Sequence, residues 1–334
     1  MTARSTYNRR VLGPGAAIVM LGMMFPGQGS QSVGMLATLA AAEPVIGDTF
    51  AEASGVLGYD LWQLCQQGPE ELLAETERTQ PAMLAAGVAV WRAWRKRGGR
   101  PPEMMAGHSL GEYSALVCAG AIEFKAAVAL VRLRGQAMQR AVPAGTGAMA
   151  AILGLDDAAI EAACAESAQG EVVQPVNYNS PGQLVIAGNA AAVARAIDSC
   201  KARGAKRAVL LPVSVPSHSA LMKPAAEEMR ERLKALEVRA PAMRVYAFDG
   251  GSHDTPDAIR DGLYRQLFNP VRWSAIVAAM IAAGARQLVE CGPGKVLAGL
   301  ARRAPGGREL AIHAIDSADS LQAALAAAAG SDNR

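Results

Sequence analysis

Residues 107–111 read Gly107-His108-Ser109-Leu110-Gly111, a G-x-S-x-G pattern. A serine in this setting sits on a sharp turn between a strand and a helix, with glycines on either side so that the two backbones can approach. Its hydroxyl is lifted toward solvent, and the helix N-terminus behind it offers backbone N–H groups to a developing oxyanion. The neighbours agree with this reading. Pro101-Pro102 ends the preceding segment, Glu103 to Ala106 can form a short buried strand, and Glu112 to Ala119 begins a helix. The same letters also occur in ordinary glycine-rich turns, so the rest of the chain has to decide.

Working outward, Ala16 to Phe25 is an apolar strand followed by a loop, Pro26-Gly27-Gln28-Gly29-Ser30-Gln31. Helical patterns then run to about Arg97, interrupted near Gly55–Gly58 and at Gly68-Pro69. Arg95-Lys96-Arg97 reads as a charged helix C-terminus, where the helix dipole favours cations. Beyond the serine turn, Phe124 to Val142 is helical. Residues 145–213 have a different texture: strand 148–153, a helix from an Asp156-Asp157 cap to Ser167, strands 172–177 and 183–187, helix 190–203 and strand 208–213. The order β-α-β-β-α-β is that of a ferredoxin-like unit. The apolar α/β pattern resumes after it: an amphipathic helix over 221–236, a strand over 243–248, a helix from Asn269-Pro270 through Ala283, and a strand over 287–290. The alanine-rich run 323–329 is a terminal helix. The expected fold class is therefore α/β, with a large subdomain (16–144 and 214–320) built on a parallel sheet and a small one (145–213) inserted into it.

The chain has 334 residues, of which 51% are hydrophobic, enough for one large α/β core with a small second one. A net charge of +3 without a polybasic tract, and 4% aromatic residues, argue against a nucleic-acid partner. The five cysteines show no C-x-x-C spacing, so neither a zinc site nor a disulfide framework is signalled, and a reducing cytoplasm is the natural setting. No stretch is long and apolar enough to span a membrane. Arg4, Arg9 and Arg10 before the first apolar run resemble a targeting peptide, but the run is short and lacks a small-x-small cleavage site. A loose tail, residues 1–15, ahead of a buried first strand fits better.

Six motifs occur in one order: Phe25-Pro26-Gly27-Gln28-Gly29-Ser30-Gln31, Gly107-His108-Ser109-Leu110-Gly111-Glu112-Tyr113, Arg134-Gly135, Val215-Pro216-Ser217-His218, Asn269-Pro270-Val271-Arg272-Trp273 and Glu290-Cys291-Gly292-Pro293-Gly294-Lys295. Together they resemble the malonyl-CoA:acyl-carrier-protein transacylase family of bacterial type II fatty acid synthesis, over residues 18–305. The resemblance implies an α/β-hydrolase-like large subdomain and a ferredoxin-like insert. It implies that Ser109 accepts the malonyl group and that His218 is its base. The backbone carbonyl of Gln266 would orient His218 in place of the usual carboxylate. The backbone N–H groups of Gln28 and Leu110 would hold the oxyanion. Arg134 would bind the malonyl carboxylate bidentately, although by position alone it reads as a surface helix arginine like Arg132. The partners implied are malonyl-CoA and an acyl carrier protein, with Lys206 and Arg207 as the first candidates to meet an acidic carrier and Lys201 and Arg203 as helpers. No metal and no cofactor is called for.

His108 lies beside the nucleophile but should point elsewhere, and His253 and His313 fall outside every motif. Two departures stand out. The family has an asparagine-containing segment after strand 243–248, where this chain reads Asp249-Gly250-Gly251-Ser252-His253, which leaves the outer wall of the pocket and the finer acyl preference open. The N-terminal tail is also longer than the family's, as a misplaced start codon would make it. The alternatives are a serine esterase or thioesterase, a discrete acyltransferase serving a polyketide synthase or a malonate decarboxylase, and a non-catalytic carrier-binding scaffold.

Overall fold

The computed structural model describes residues 19–143, 145–213 and 215–330. The proposed tail, 1–15, and the first residues of the expected 16–25 strand lie outside them. Strand β1 (Met20–Phe25) is buried along nearly its whole length, as a strand covered on both faces of a parallel sheet must be. Helices α1 (Ala37–Ala42), α2 (Val45–Leu57), α3 (Leu61–Gln67), α4 (Glu70–Ala74) and α5 (Thr76–Lys96) follow, then β2 (Met104–Gly107), α6 (Gly111–Cys118) and α7 (Phe124–Ala141).

The next segment is β3 (Gly147–Leu153), α8 (Asp157–Ala168), β4 (Val173–Ser180), β5 (Gln183–Asn189), α9 (Ala190–Ala202) and β6 (Arg207–Leu210). These strands form an antiparallel sheet in the order β4-β5-β3-β6, the ferredoxin-like arrangement expected from the pattern. Asp156 caps α8 by accepting from the Ala159 N–H at 2.7 Å. Its core is its own, with Ile152, Ile160, Leu184, Ile186 and Val193 packed together.

The chain continues through α10 (Lys223–Ala235), β7 (Arg244–Tyr246), α11 (Pro256–Gln266), α12 (Trp273–Ala282), β8 (Ala285–Cys291), α13 (Val296–Arg303), β9 (Ala311–Ile315) and α14 (Ala318–Gly330). The large sheet is parallel in the order β7-β2-β1-β8-β9. β1 pairs with β2 so that Phe25 lies opposite Gly107. The loops leaving these two strands therefore emerge side by side at the carboxyl end of the sheet, where α/β proteins bind their ligands.

Two expectations need correction. The helix expected from Asn269-Pro270 starts only at Trp273. Residues ahead of it are extended, because Val271 is drawn into the small sheet: its N–H donates to Val176 O at 2.8 Å and its carbonyl accepts from Tyr178 N at 2.9 Å. That pairing ties the segment ahead of α12 to β4 of the small sheet. The last strand of the small unit is Arg207–Leu210 rather than 208–213, since it pairs only with Ala150–Leu153 of β3. Strand β9 and helix α11 had no counterpart in the sequence reading.

Candidate active site

The turn at Ser109 is held by backbone contact. A Cβ on Gly107 would lie 1.9 Å from the Gly111 carbonyl carbon, and one on Gly111 would lie 1.9 Å from Phe25 O. Only glycine permits strand β2, helix α6 and strand β1 to meet so closely. Ser109 itself has φ 51, in the left-handed region that side chains avoid. Such strain persists only where the surroundings impose it, and here it raises Oγ above the sheet.

His218 arrives from a loop 109 residues away and places Nε2 2.7 Å from Ser109 Oγ. It too has a positive φ, 65. Its Nδ1 lies 2.8 Å from the carbonyl oxygen of Gln266. A carbonyl can only accept, so Nδ1 carries the proton and Nε2 is left to accept from the serine hydroxyl. Burial, then the positive charge of Arg134, brings the His218 pKa down to about 3. The imidazole is accordingly neutral at neutral pH, with Nε2 unprotonated and aimed at the serine hydroxyl.

The loop after β1 folds over the serine turn. A Cβ on Gly27 would stand 2.4 Å from His108 O, so this glycine lets Gln28 come close. The backbone N–H groups of Gln28 and Leu110 have no acceptor among the described residues. Two unpaired donors beside a nucleophile can stabilise a tetrahedral oxyanion.

Arg134 is 1% exposed, which corrects the surface reading suggested by position. It belongs to the buried stripe of α7 with Val131, Gly135 and Met138. Its Nη1 donates to Gln80 Oε1 at 2.9 Å and its Nη2 to Gln266 Oε1 at 3.0 Å, with Ser109 Oγ 3.5 Å from Nη2. The cation is thus held by neutral amides and faces Ser109 Oγ. Burial lowers its pKa, with Tyr113 and Glu112 opposing the shift.

The structure adds residues that sequence reasoning passed over. The Gln266 side chain donates to Ser109 O at 3.0 Å and to Glu112 Oε2 at 2.9 Å. Glu112 Oε1 lies 2.6 Å from His253 Nε2, and both side chains are essentially fully buried. Glu112 stands three residues past Ser109, a spacing that could have flagged it. Nothing local marks His253, whose partner is 141 residues distant.

Other candidates lie elsewhere. His108 turns to the small sheet, with Nε2 2.9 Å from Asn179 Oδ1. His313 is on β9. Lys206 and Arg207 are exposed at the start of β6 and, among the described residues, make no ion pair, whereas Arg203 and Lys201 are paired with Glu166 and Asp198. No hydrogen bond of the serine site reaches them. Glu290 accepts from the Leu297 and Ala298 N–H groups at 3.1 and 2.8 Å, anchoring α13, and burial pushes its pKa up to about 7.

A hydrogen-bonded serine–histidine pair with the histidine buried, two free backbone donors and a fixed cation make a site suited to an enzyme that handles acyl groups. The chain belongs to the acyl transferase domain family, whose model matches residues 23–310. It is 61% identical over 281 residues to the malonyl CoA-acyl carrier protein transacylase of Escherichia coli K12, covering 84% of this chain and 91% of that one. The solved acyl carrier protein S-malonyltransferase of Vibrio cholerae superposes with a TM-score of 0.88 at 59% identity, covering 91% and 99% of the two chains. A malonyl-transacylase solved in complex with a type II PKS acyl-carrier protein gives a TM-score of 0.91 at 57% identity, covering 92% and 99%.

Proposed function

We propose that this chain transfers the malonyl group of malonyl-CoA to the phosphopantetheine thiol of an acyl carrier protein, in fatty acid biosynthesis, through a malonyl-Ser109 ester. The observation that carries the reading is Arg134: a buried cation with no carboxylate among its hydrogen-bond partners in the described residues, held by the Gln80 and Gln266 amide oxygens, whose Nη2 stands 3.5 Å from Ser109 Oγ. An esterase for neutral acyl groups has no use for it. A carboxylated acyl chain supplies the anion it lacks.

His218 Nε2 takes the proton as Ser109 Oγ attacks the thioester carbonyl. The oxyanion sits between the Gln28 and Leu110 N–H groups. When it collapses, CoA sulfur leaves with the proton held by His218. The carrier thiol then gives its proton to His218, attacks the ester, and regenerates Ser109. Gln266 fixes the imidazole through its carbonyl without a carboxylate, which suits a reversible exchange between activated acyl donors. The residues 16–144 and 214–320 serve as the catalytic subdomain and 145–213 as the smaller one. Lys206 and Arg207 offer unpaired positive charge to an acidic carrier. The setting is the cytoplasm, where the five free, buried cysteines are stable, and no helix among the described residues is long and apolar enough to cross a membrane.

Incubation with malonyl-CoA alone, followed by peptide mass spectrometry, should give a Ser109 peptide heavier by about 86 Da, the malonyl group replacing hydrogen. Absence of that adduct overturns the reading. Adding a carrier should discharge it by transfer, whereas an esterase discharges it to water. The complex of the 57%-identical relative with a type II PKS acyl-carrier protein favours a second reading, a polyketide carrier as acceptor, which competition between the two carriers resolves.

A further inference from the structure

We propose that His253 is a positioning residue that sets the preference of Arg134 for a carboxylated acyl thioester, acting through Glu112 and Gln266. The proposal rests on the malonyl reading above and goes beyond it.

The Gln266 side chain has only one workable orientation. Its Oε1 accepts from the Arg134 guanidinium and its Nε2 donates to the Glu112 carboxylate. Reversing the amide would set donor against donor at Arg134 and acceptor against acceptor at Glu112. The orientation of Gln266 therefore depends on where the Glu112 oxygens lie. His253 fixes that, because Glu112 Oε1 is occupied by His253 Nε2 at 2.6 Å and Oε2 is left for Gln266. The chain makes room for the ring with a glycine: a Cβ on Gly262 of α11 would stand 2.5 Å from His253 Cε1.

Charge gives the arrangement its second consequence. The Glu112 carboxylate is one amide away from Arg134. Left alone, it would neutralise the guanidinium and repel an incoming carboxylate. With its Nε2 2.6 Å from Glu112 Oε1, His253 takes up that charge when it carries a proton, and Arg134 then keeps an uncompensated positive field toward the acyl group. Burial works against protonation of His253, but the hydrogen bond and charge of Glu112, the Ala258 backbone and Asp249 outweigh it and raise its pKa. Asp249, on the same loop, is itself paired with Arg265 of α11 at 3.6 Å. The Asp249–His253 segment, which departs from the family pattern, thus reaches the acyl site from behind.

The test compares acylation of Ser109 by malonyl-CoA and by acetyl-CoA in the wild type, in His253→Gln and in the double variant Glu112→Gln/His253→Gln. His253→Gln keeps a hydrogen-bond donor but removes the ring that can be protonated. The ratio of kcat/KM for malonyl-CoA over acetyl-CoA should fall about tenfold, mainly through the malonyl-CoA KM, a size expected for coupled buried neighbours. Removing the Glu112 charge as well should restore the ratio to within about threefold of wild type. A parallel loss with both substrates, no change in the ratio, or no recovery in the double variant overturns the role assigned to His253. Lack of a malonyl-Ser109 adduct in the wild type strikes the functional reading instead, so the two failures are distinct.

Discussion

Replacing Arg134 by alanine separates acyl recognition from acyl chemistry. In a malonyl-Ser109 ester the carboxylate sits two carbons beyond the acyl carbon, within reach of a guanidinium whose Nη2 is 3.5 Å from Oγ. Truncating one member of a buried, hydrogen-bonded charge pair costs about 2–5 kcal/mol, and tenfold corresponds to about 1.4 kcal/mol. The kcat/KM for acylation by malonyl-CoA should therefore fall by about one and a half to three and a half powers of ten. Acetyl-CoA never engages the guanidinium, so its kcat/KM should hold or rise, and selectivity should collapse by nearly the whole factor. The substitution also strips the Gln80 and Gln266 Oε1 atoms of their donor, at about 1–3 kcal/mol for each group left unsatisfied, while removing a buried cation. Urea denaturation of the same samples reports that balance. The assay is single-turnover acylation followed by intact-protein mass spectrometry. A malonyl-CoA kcat/KM within about threefold of wild type, or an equal loss with acetyl-CoA in a protein of unchanged stability, would refute the role given to Arg134.

Gly111→Ala should abolish soluble folded protein or cost several kcal/mol, beyond the usual ~1–3 kcal/mol of overpacking, because its Cβ would sit 1.9 Å from Phe25 O; a denaturation midpoint near wild type would contradict the close approach described. With the His218 pKa brought down to about 3, the acid limb of acylation should not show an ordinary histidine titration near pH 6.5 but continue down toward pH 3. The same depression means that the unfolded chain binds a proton the folded one refuses. Stability contributed by neutral His218 is full above about pH 6.5 and is lost as pH falls toward 3, a slope that His218→Gln should remove from urea unfolding measured across that window. Lys206→Glu with Arg207→Glu should raise the KM for an acidic carrier about tenfold and leave acylation by malonyl-CoA unchanged; steady-state titration of the carrier at fixed malonyl-CoA checks both halves.

What could be read from the sequence was what is local. The turn at Ser109 is written in five consecutive residues, and the alternation of strands and helices around 145–213 is periodic enough to show the ferredoxin-like order. His218 became readable only through its motif, since its distance to Ser109 is created by the sheet rather than by spacing. The resemblance supplied the carbonyl of Gln266 but not its side chain, whose three partners come from α6, α7 and the serine turn. Asn269-Pro270 looked like a helix start because proline favours first turns, yet tertiary pairing of Val271 with β4 pulled the segment out straight. Strand β9, Ala311-Ile312-His313-Ala314-Ile315, is too short and too rich in alanine to announce itself. Glu112 and His253 are two buried ionisable side chains with no shared neighbourhood in the chain, so only folding reveals that each is the other's partner.

The left-handed backbone at Ser109 also limits what evolution can do with the proposed acyl acceptor. Threonine carries the same hydroxyl and could in principle form the same ester. Its extra methyl on Cβ, however, crowds a backbone held at φ 51, a region that branched side chains almost never enter. The obvious chemical neighbour of serine is therefore closed by geometry. An unbranched side chain at position 109 is the condition for keeping both the turn and the ester, and a drift from serine to threonine would silence the site while leaving every functional group on paper.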